Sequence, residues 1–410
     1  MVRYKLTSPP MVKATIQLPA SKSISNRALI INALGKGSYS PENLSDCDDT
    51  QVMIKALTEN KETIDIMAAG TAMRFLTAYL SVTPGKHTIT GTARMQQRPI
   101  QILVNALREL GAEIEYAGNE GFPPLHIIGT ELKKNEIALK GNVSSQYISA
   151  LLMIGPVLKN GLTLHLSGEI ISRPYINLTL QLMNDFGAKA AWTAPNSISV
   201  APQPYESIPF TVESDWSAAS YWYQIAALSS KAEIELLGLF HHSYQGDSRG
   251  AEVFSRLGIT TEFTAKGVKL KKTGNALKKL EEDLVDIPDL AQTFVVTCAL
   301  LNIPFRFTGL QSLKIKETDR ITALRSELKK LGYLIEEEND SVLMWNGERC
   351  TPEQTPIIQT YEDHRMAMAF APAAILYPDL QIAEPEVVSK SYPNYWEHLK
   401  QAGFQIISEK

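Results

Sequence analysis

Cysteine is scarce in this chain of 410 residues: Cys47, Cys298 and Cys350 are all there is, far apart and with no CxxC pair. An odd number at such spacing excludes a disulfide framework, speaks against a zinc site and favours a reducing compartment. Excess charge of one sign is missing too. Lys and Arg number 40 against 44 Asp and Glu, and a net charge of −4 is too small for bulk-charge binding to nucleic acid or a membrane surface. Long apolar runs are absent. The richest, MAMAFAPAAILYP after Arg365, holds two prolines and is too short to span a bilayer. The opening MVRYKLTSPPMVKATIQLPASK lacks the apolar core of a secretory signal. Neither GxxxxGK[ST] nor GxGxxG occurs, so the P-loop and Rossmann routes to phosphate are closed. With 24 Gly and 22 Pro, collagen-like and low-complexity readings fall away. A cytoplasmic globular protein of two or three domains is expected.

What is present is a repeat. Six segments pair a small polar turn with an Ala/Leu/Met-rich run: PASKSISNRALIINAL, AAGTAMRFLTAYL, VSSQYISALLMIGPVL, ESDWSAASYWYQIAAL, DIPDLAQTFVVTCALL and EDHRMAMAFAPAAIL. Their turns fall at Ser21, Gly70, Ser144, Asp215, Asp289 and Asp363, in steps of 49, 74, 71, 74 and 74. A second, amphipathic helix follows most of them and ends at Gly111, Gly187, Gly258, Gly332 or Gly403. Short β-like runs such as HTIT, LTLHL, AEIELL and VLMW lie between. The unit reads strand–helix–strand–helix–strand–strand, about six times over. Because the first helices are apolar nearly all round, they belong inside, with sheets wrapped around them. Six units exceed one core and divide three and three, with crossings near Pro19–Ala20 and Glu213–Ser214. The expected domains are 20–213 and 1–19 with 214–410, the first strand joining the second domain.

Cations occupy an unexpected place. A helix amino-terminus favours anions, yet Lys22, Arg74, Arg98, Lys316 and Arg365 fall at or near predicted helix starts, and Arg320 lies one turn beyond Lys316. Repeated on homologous units, this points to helix ends and basic side chains aimed together at an anion. The alternative is simple pairing with neighbouring carboxylates, as Lys316, Glu317, Asp319 and Arg320 allow. Ser21, Ser23, Thr71, Ser144, Ser145 and Gln146 accompany the cations; some of these cap helices, but Ser144-Ser145-Gln146 in sequence suits a hydroxylated, phosphorylated ligand. Asp289 and Glu317 supply acid/base capacity, against a cap for the first and a surface pair for the second. His364 is expected to pack, His241-His242 to bind no metal, and SYWYQ to be core.

Taken together, SKSISNRAL, AAGTAMR, RMQQRPI, VSSQYISALL, SRPYINLTL, IKETDRI and YEDHRMAMAF resemble the 5-enolpyruvylshikimate-3-phosphate synthase family, from Lys22 to Lys390 in order. The resemblance implies an inside-out α/β barrel fold of two domains, each of three βαβαββ units, closing on a cleft. It implies transfer of the enolpyruvyl group of phosphoenolpyruvate to the 5-hydroxyl of shikimate 3-phosphate, with release of phosphate and no cofactor or metal. Its partners are these small molecules, not nucleic acid or membrane, and the chain is expected as a monomer. By motif, shikimate 3-phosphate meets Lys22, Ser23, Arg27, Ser144, Ser145 and Gln146. Ser172, Tyr175, Asp289, Ser312 and Lys316 complete that pocket. Phosphoenolpyruvate meets Lys22, Gly70, Arg98, Gln146, Arg320, Arg365 and Lys390. Lys22, Asp289 and Glu317 are the implied catalytic groups. Many members carry Asn at Ala68 and Ser312 and Pro at Phe75. The family is the target of glyphosate, which competes with phosphoenolpyruvate; Gly70 leaves room for it, while Ala68 and Phe75 are expected to weaken it by altering the turn. The rivals are UDP-N-acetylglucosamine enolpyruvyl transferase and a non-catalytic anion-binding repeat protein.

Overall fold

Helices buried on every side set the architecture. The computed structural model describes residues 2–36, 39–59 and 61–409, the Ile315 side chain excepted. In Ala291–Leu300 all 10 residues are buried, and Trp216–Leu228 leaves only Ser217 partly open. Gly70–Val82, Ser145–Ile154 and His364–Phe370 are alike in being covered nearly all round. Hydroxyls inside such helices need partners, and they find them one turn back: Thr77 donates to the Met73 carbonyl at 2.6 Å and Thr297 to that of Thr293 at 2.6 Å. The second helices are amphipathic instead, as in Gln101–Leu110, where Leu103, Val104, Ala106, Leu107 and Leu110 form one buried stripe.

Among the described residues, five four-stranded sheets share one plan: two parallel strands, then an antiparallel pair on the second strand. Thr63–Asp65, Gly85–Thr90, Leu125–Gly129 and Glu113–Tyr116 show it in spatial order, with Ile64 opposite Ile89 and Ile89 opposite Leu125. A parallel pair needs a crossover; a buried helix provides it in four of the sheets, while the connection from Val12–Gln17 to Ala232–Leu237 also runs through residues 20–212. The amino-terminal strands complete sheets far along the chain. Val12–Gln17 runs parallel to Ala232–Leu237, and Arg3–Thr7 sits antiparallel between Leu380–Ala383 and Gln405–Glu409.

The first repeat departs from expectation. Helices Lys22–Leu34 and Asp48–Thr58 are formed, but among the described residues their sheet is reduced to a single parallel bridge, Glu42 with Thr211. Segment 39–46, YSPENLSD, explains this: Pro41 and the left-handed Asn43 (φ 53°) break strands, and no β-branched residue is present to favour one. The chain divides into two compact units, Ala20–Val212 and Met1–Pro19 with Glu213–Lys410. The second has one contiguous apolar core around Trp222, Phe254, Phe294 and Phe370.

The five helix-ending glycines all take left-handed backbone, from 82° at Gly187 to 113° at Gly111. At Gly332 (φ 91°) a Cβ would also stand 3.1 Å from the Cys350 carbonyl oxygen. Gly332→Ala should therefore cost about 1–2 kcal/mol. A lower urea midpoint with unchanged slope would show it; an unmoved midpoint would mean that the turn absorbs the side chain without strain.

Candidate active site

The inner helices bring their starting turns, not their bodies, to the polar groups. In the Ala20–Val212 unit, Ser21 caps Lys22–Leu34, accepting from the Ile24 N–H at 3.4 Å, and Ser144 caps Ser145–Ile154, accepting from Gln146 at 3.4 Å. These two are the capping residues among the expected hydroxyls. Gln146 instead donates its amide to Thr71 Oγ1 at 3.1 Å, tying two helix starts together. Lys22 lies 3.8 Å from buried Asp49, a partner not legible in the sequence because an acid in a first turn looks like any helix-end acid.

Gly70 opens its helix without a side-chain cap. A Cβ there would lie 2.7 Å from Arg74 Nη1 and 2.8 Å from Arg98 Nη1, so glycine is what lets both guanidiniums close on the turn. Arg74 donates to the Gly70 carbonyl at 2.8 Å, and Tyr147 holds the Arg98 segment by donating to the Pro99 carbonyl at 2.7 Å.

Arg27 is buried among neutral groups. It donates to Thr179 Oγ1 at 2.7 Å, the Ser23 carbonyl at 2.9 Å and Ser149 Oγ at 3.2 Å. Burial pulls its pKa down to about 10. Phe75, expected to tilt the Gly70 turn, is fully buried in a continuous helix, with Arg27 5.2 Å from its ring centroid. Its bulk meets Arg27 and provides a cation–π face. Ser172 is left-handed (φ 55°) at the start of Arg173–Asp185, and Tyr175 lies within the electrostatic reach of Arg27.

The other unit gathers the acid/base groups. Asp289 sits in a 3-10 turn, Pro288–Leu290, ahead of its helix, and its carboxylate serves cations rather than capping. One oxygen accepts from Arg320 at 3.3 Å and Lys316 at 3.4 Å, the other from Arg365 at 2.8 Å. Glu317 accepts from Arg320 at 2.9 Å and lies 3.5 Å from Lys390 Nζ. Arg320, 1% exposed, also donates to Asp363 at 2.7 and 3.3 Å. Burial opposes its charge, but Asp363, Glu317 and Asp289 outweigh it and hold the guanidinium pKa above its ordinary value. The pairing offered as the alternative to an anion site is thus real here, and it joins the expected catalytic carboxylates to the expected anion-binding cations.

Ser312 lies in the turn Gln311–Ile315, with its hydroxyl buried and lacking a hydrogen-bond partner among the described residues. His364 is buried beside Asp363, at 3.6 Å. Three further residues went unread. Asp363 was visible only as a turn. Tyr221 stood within an aromatic run that does pack as core, yet its hydroxyl meets Arg365 at 3.4 Å. Asp247, buried, accepts from Ser217 and feels the charge of Asp289. Among the described residues no group of three or more His, Cys, Asp or Glu is disposed to hold a metal, and no helix is long and apolar enough to cross a membrane.

This arrangement of helices inside sheets, with cations and carboxylates at the helix starts, is the fold of enolpyruvyl transferases. The EPSP synthase of Acinetobacter baumannii superposes with a TM-score of 0.80 at 21% identity over 100% of both chains. The enolpyruvyl transferase NikO of Streptomyces tendae gives 0.75 at 13% identity, over 100% of this chain and 99% of that one. The model of one family, EPSP synthase (3-phosphoshikimate 1-carboxyvinyltransferase), matches residues 6–66 and 57–399. A 3-phosphoshikimate 1-carboxyvinyltransferase of Bacteroides fragilis is 76% identical over 405 residues, 99% of each chain. One of Shewanella halifaxensis is 35% identical, covering 97% of this chain and 98% of its own. The chain belongs to the EPSP synthase family.

Burial first, then the charge of Asp289, pushes the Asp247 carboxyl up to about 6 from 3.8. A carboxyl raised in the folded state adds stability below its unfolded pKa and loses it as pH climbs through its folded pKa. Asp247→Asn keeps an oxygen for Ser217 and cannot ionise. Its melting temperature relative to wild type should therefore climb between about pH 4 and pH 7. A difference that stays flat over that range would contradict the raised pKa.

Proposed function

We propose that the polar groups gathered at the helix starts act on phosphoenolpyruvate and shikimate 3-phosphate. The enolpyruvyl group of phosphoenolpyruvate passes to the 5-hydroxyl of shikimate 3-phosphate, and inorganic phosphate leaves. Family membership and the 76% identity to a 3-phosphoshikimate 1-carboxyvinyltransferase support the reaction. The observation that carries the residue assignment is the buried Arg320 guanidinium linking Asp289 and Glu317, with Lys316, Arg365 and Lys390 on the same carboxylates. Two carboxylates for proton traffic and four cations for phosphate and carboxylate ligands are what the chemistry asks for.

Shikimate 3-phosphate is assigned to Ser23, Arg27, Ser144, Ser145 and Gln146, then to Ser172, Tyr175, Ser312, Asp289 and Lys316. Phosphoenolpyruvate is assigned to Lys22, Gly70, Arg98 and Gln146 with Arg320, Arg365 and Lys390. In the addition step the 5-hydroxyl loses its proton as its oxygen bonds to C2 of the enolpyruvyl group. A second proton goes to the methylene carbon, which leaves a methyl-bearing tetrahedral centre. Phosphate then departs with the electron pair of its C2–O bond, and a methyl proton returns to the protein as the double bond reforms. Asp289 and Glu317 exchange these protons, with Lys22 as a further donor. Substrate anions that draw the cations to themselves leave the two carboxylates with fewer positive partners, which raises their proton affinity when a base is needed. The enzyme works as a cytoplasmic monomer on small molecules.

Phosphate release from phosphoenolpyruvate should require shikimate 3-phosphate and should not occur with UDP-N-acetylglucosamine in its place. Release with the UDP sugar alone would overturn the acceptor. Lys22→Ala should lower turnover about a hundredfold or more in a protein that stays folded, with a lower melting temperature from the loss of the 3.8 Å contact with buried Asp49. Wild-type turnover in that variant would remove Lys22 from the mechanism.

A further inference from the structure

A sharp turn just ahead of the Asp363–Arg365 pair takes part in no step of the proposed reaction. Tyr361 and Glu362 both hold left-handed backbone, with φ of 54° and 56°. Two successive non-glycine residues in that region are uncommon, because Cβ crowds the following carbonyl. Such a turn persists only where its surroundings over-determine it, and outliers of this kind gather at ligand clamps.

The surroundings here are specific. The Tyr361 hydroxyl donates to Glu327 Oε1 at 2.6 Å. The other oxygen of Glu327 accepts from Lys330 Nζ at 2.6 Å and from the Gln359 N–H at 3.0 Å. Lys330 also donates to the Ile357 carbonyl at 2.9 Å. Glu327 is fully buried, and its carboxylate is taken up by Gln359 and Tyr361 of this short stretch and by Lys330 of its own helix. Helix Arg320–Lys330 thus grips segment 357–365 at two points. Its first residue, Arg320, holds Asp363, and two turns along the same helix Glu327 holds Gln359 and Tyr361. Asp363 in turn accepts from the Arg365 N–H at 2.9 Å.

We infer that Tyr361 is a positioning residue: its bond to Glu327 locks the left-handed turn and so sets the direction in which Arg320 and Arg365 meet an anion. The two-point grip makes the orientation of these guanidiniums a property of one helix and one turn, fixed before any ligand arrives. Pre-set cations spare a phosphate or carboxylate ligand the cost of ordering them, so loosening the turn should weaken anion binding without removing any contact group. The inference rests on the reading above that Arg320 and Arg365 serve phosphoenolpyruvate.

The test is steady-state kinetics on Tyr361→Phe, which loses the hydroxyl and nothing else. The Michaelis constant for phosphoenolpyruvate should rise about tenfold, with that for shikimate 3-phosphate and the saturated turnover within about twofold. A purely stabilising contact would lower the melting temperature and leave both constants where they are. In Tyr361→Phe/Glu362→Asn the phosphoenolpyruvate constant should return most of the way, since asparagine tolerates left-handed backbone and the turn then needs its tie less. An unmoved phosphoenolpyruvate constant, an equal rise in both constants, or no recovery with asparagine would each overturn the clamp. Wild-type protein that releases no phosphate from the two substrates would instead overturn the function on which it rests.

Discussion

The buried Arg320–Asp363 pair is the contact on which the acid/base half of the site depends. Arg320 begins a helix, where a positive charge is unwelcome, and it is almost wholly removed from water. Leaving such a charge unpaired would cost about 3–5 kcal/mol, so carboxylates must come to it. Asp363, Glu317 and Asp289 do, from three different segments of the chain. Each is thereby pinned, and Lys316, Arg365 and Lys390 are drawn in by the two carboxylates that remain partly open. One desolvated guanidinium fixes the mutual geometry of groups that sequence spacing leaves unrelated.

The same logic explains why the polar residues sit where they do. A helix covered on all sides has no exposed flank, so polar side chains along its body bond back to its own carbonyls, as Thr77, Ser81 and Thr297 do, or to a neighbouring helix, as Gln224 does to Ala369. Its first turn is different. The N–H groups there lack intrahelical partners, and caps or ligands have to supply them. Ser21, Ser144, Asp215 and Asp363 fill that role in four of the inner helices, while Gly70 leaves its turn open to Arg74 and Arg98. An architecture with helices inside therefore concentrates chemistry at helix starts in both units.

Arg27 and Arg320 show two answers to one problem. Arg320 is neutralised by acids, which keeps it charged and rigid. Arg27 has hydroxyls, a carbonyl and the Phe75 ring, and burial lowers its pKa to about 10. A guanidinium solvated by neutral groups retains an appetite for an incoming anion, whereas one already ringed by carboxylates is better suited to holding them in place. The division adds to the roles proposed for them: both meet substrate, and Arg320 in addition organises the proton-transfer groups.

Much of this was legible in the order of residues. The buried first helices, the amphipathic second helices and their glycine stops are local matters of periodicity and backbone freedom, and Gly111, Gly187, Gly258, Gly332 and Gly403 all adopt the left-handed conformation expected of them. The cations at helix starts were equally plain, as an anomaly against the helix dipole. Sequence did not reveal that the first repeat would lose its sheet, because a strand survives or fails by what pairs with it, and among the described residues 39–46 makes one bridge, Glu42 with Thr211. Nor did it reveal Asp49, Tyr221, Asp247 or the Tyr361–Glu327 tie. An acid in a first turn, a tyrosine in an apolar helix and a glutamate in an amphipathic one have ordinary local explanations. Their meaning comes from partners dozens or more residues away, and burial makes those partners obligatory. Local sequence thus determined which elements form and where charge is out of place; the tertiary structure alone decided which charges meet, because desolvation, which forces them to pair, exists only once the chain has closed around them.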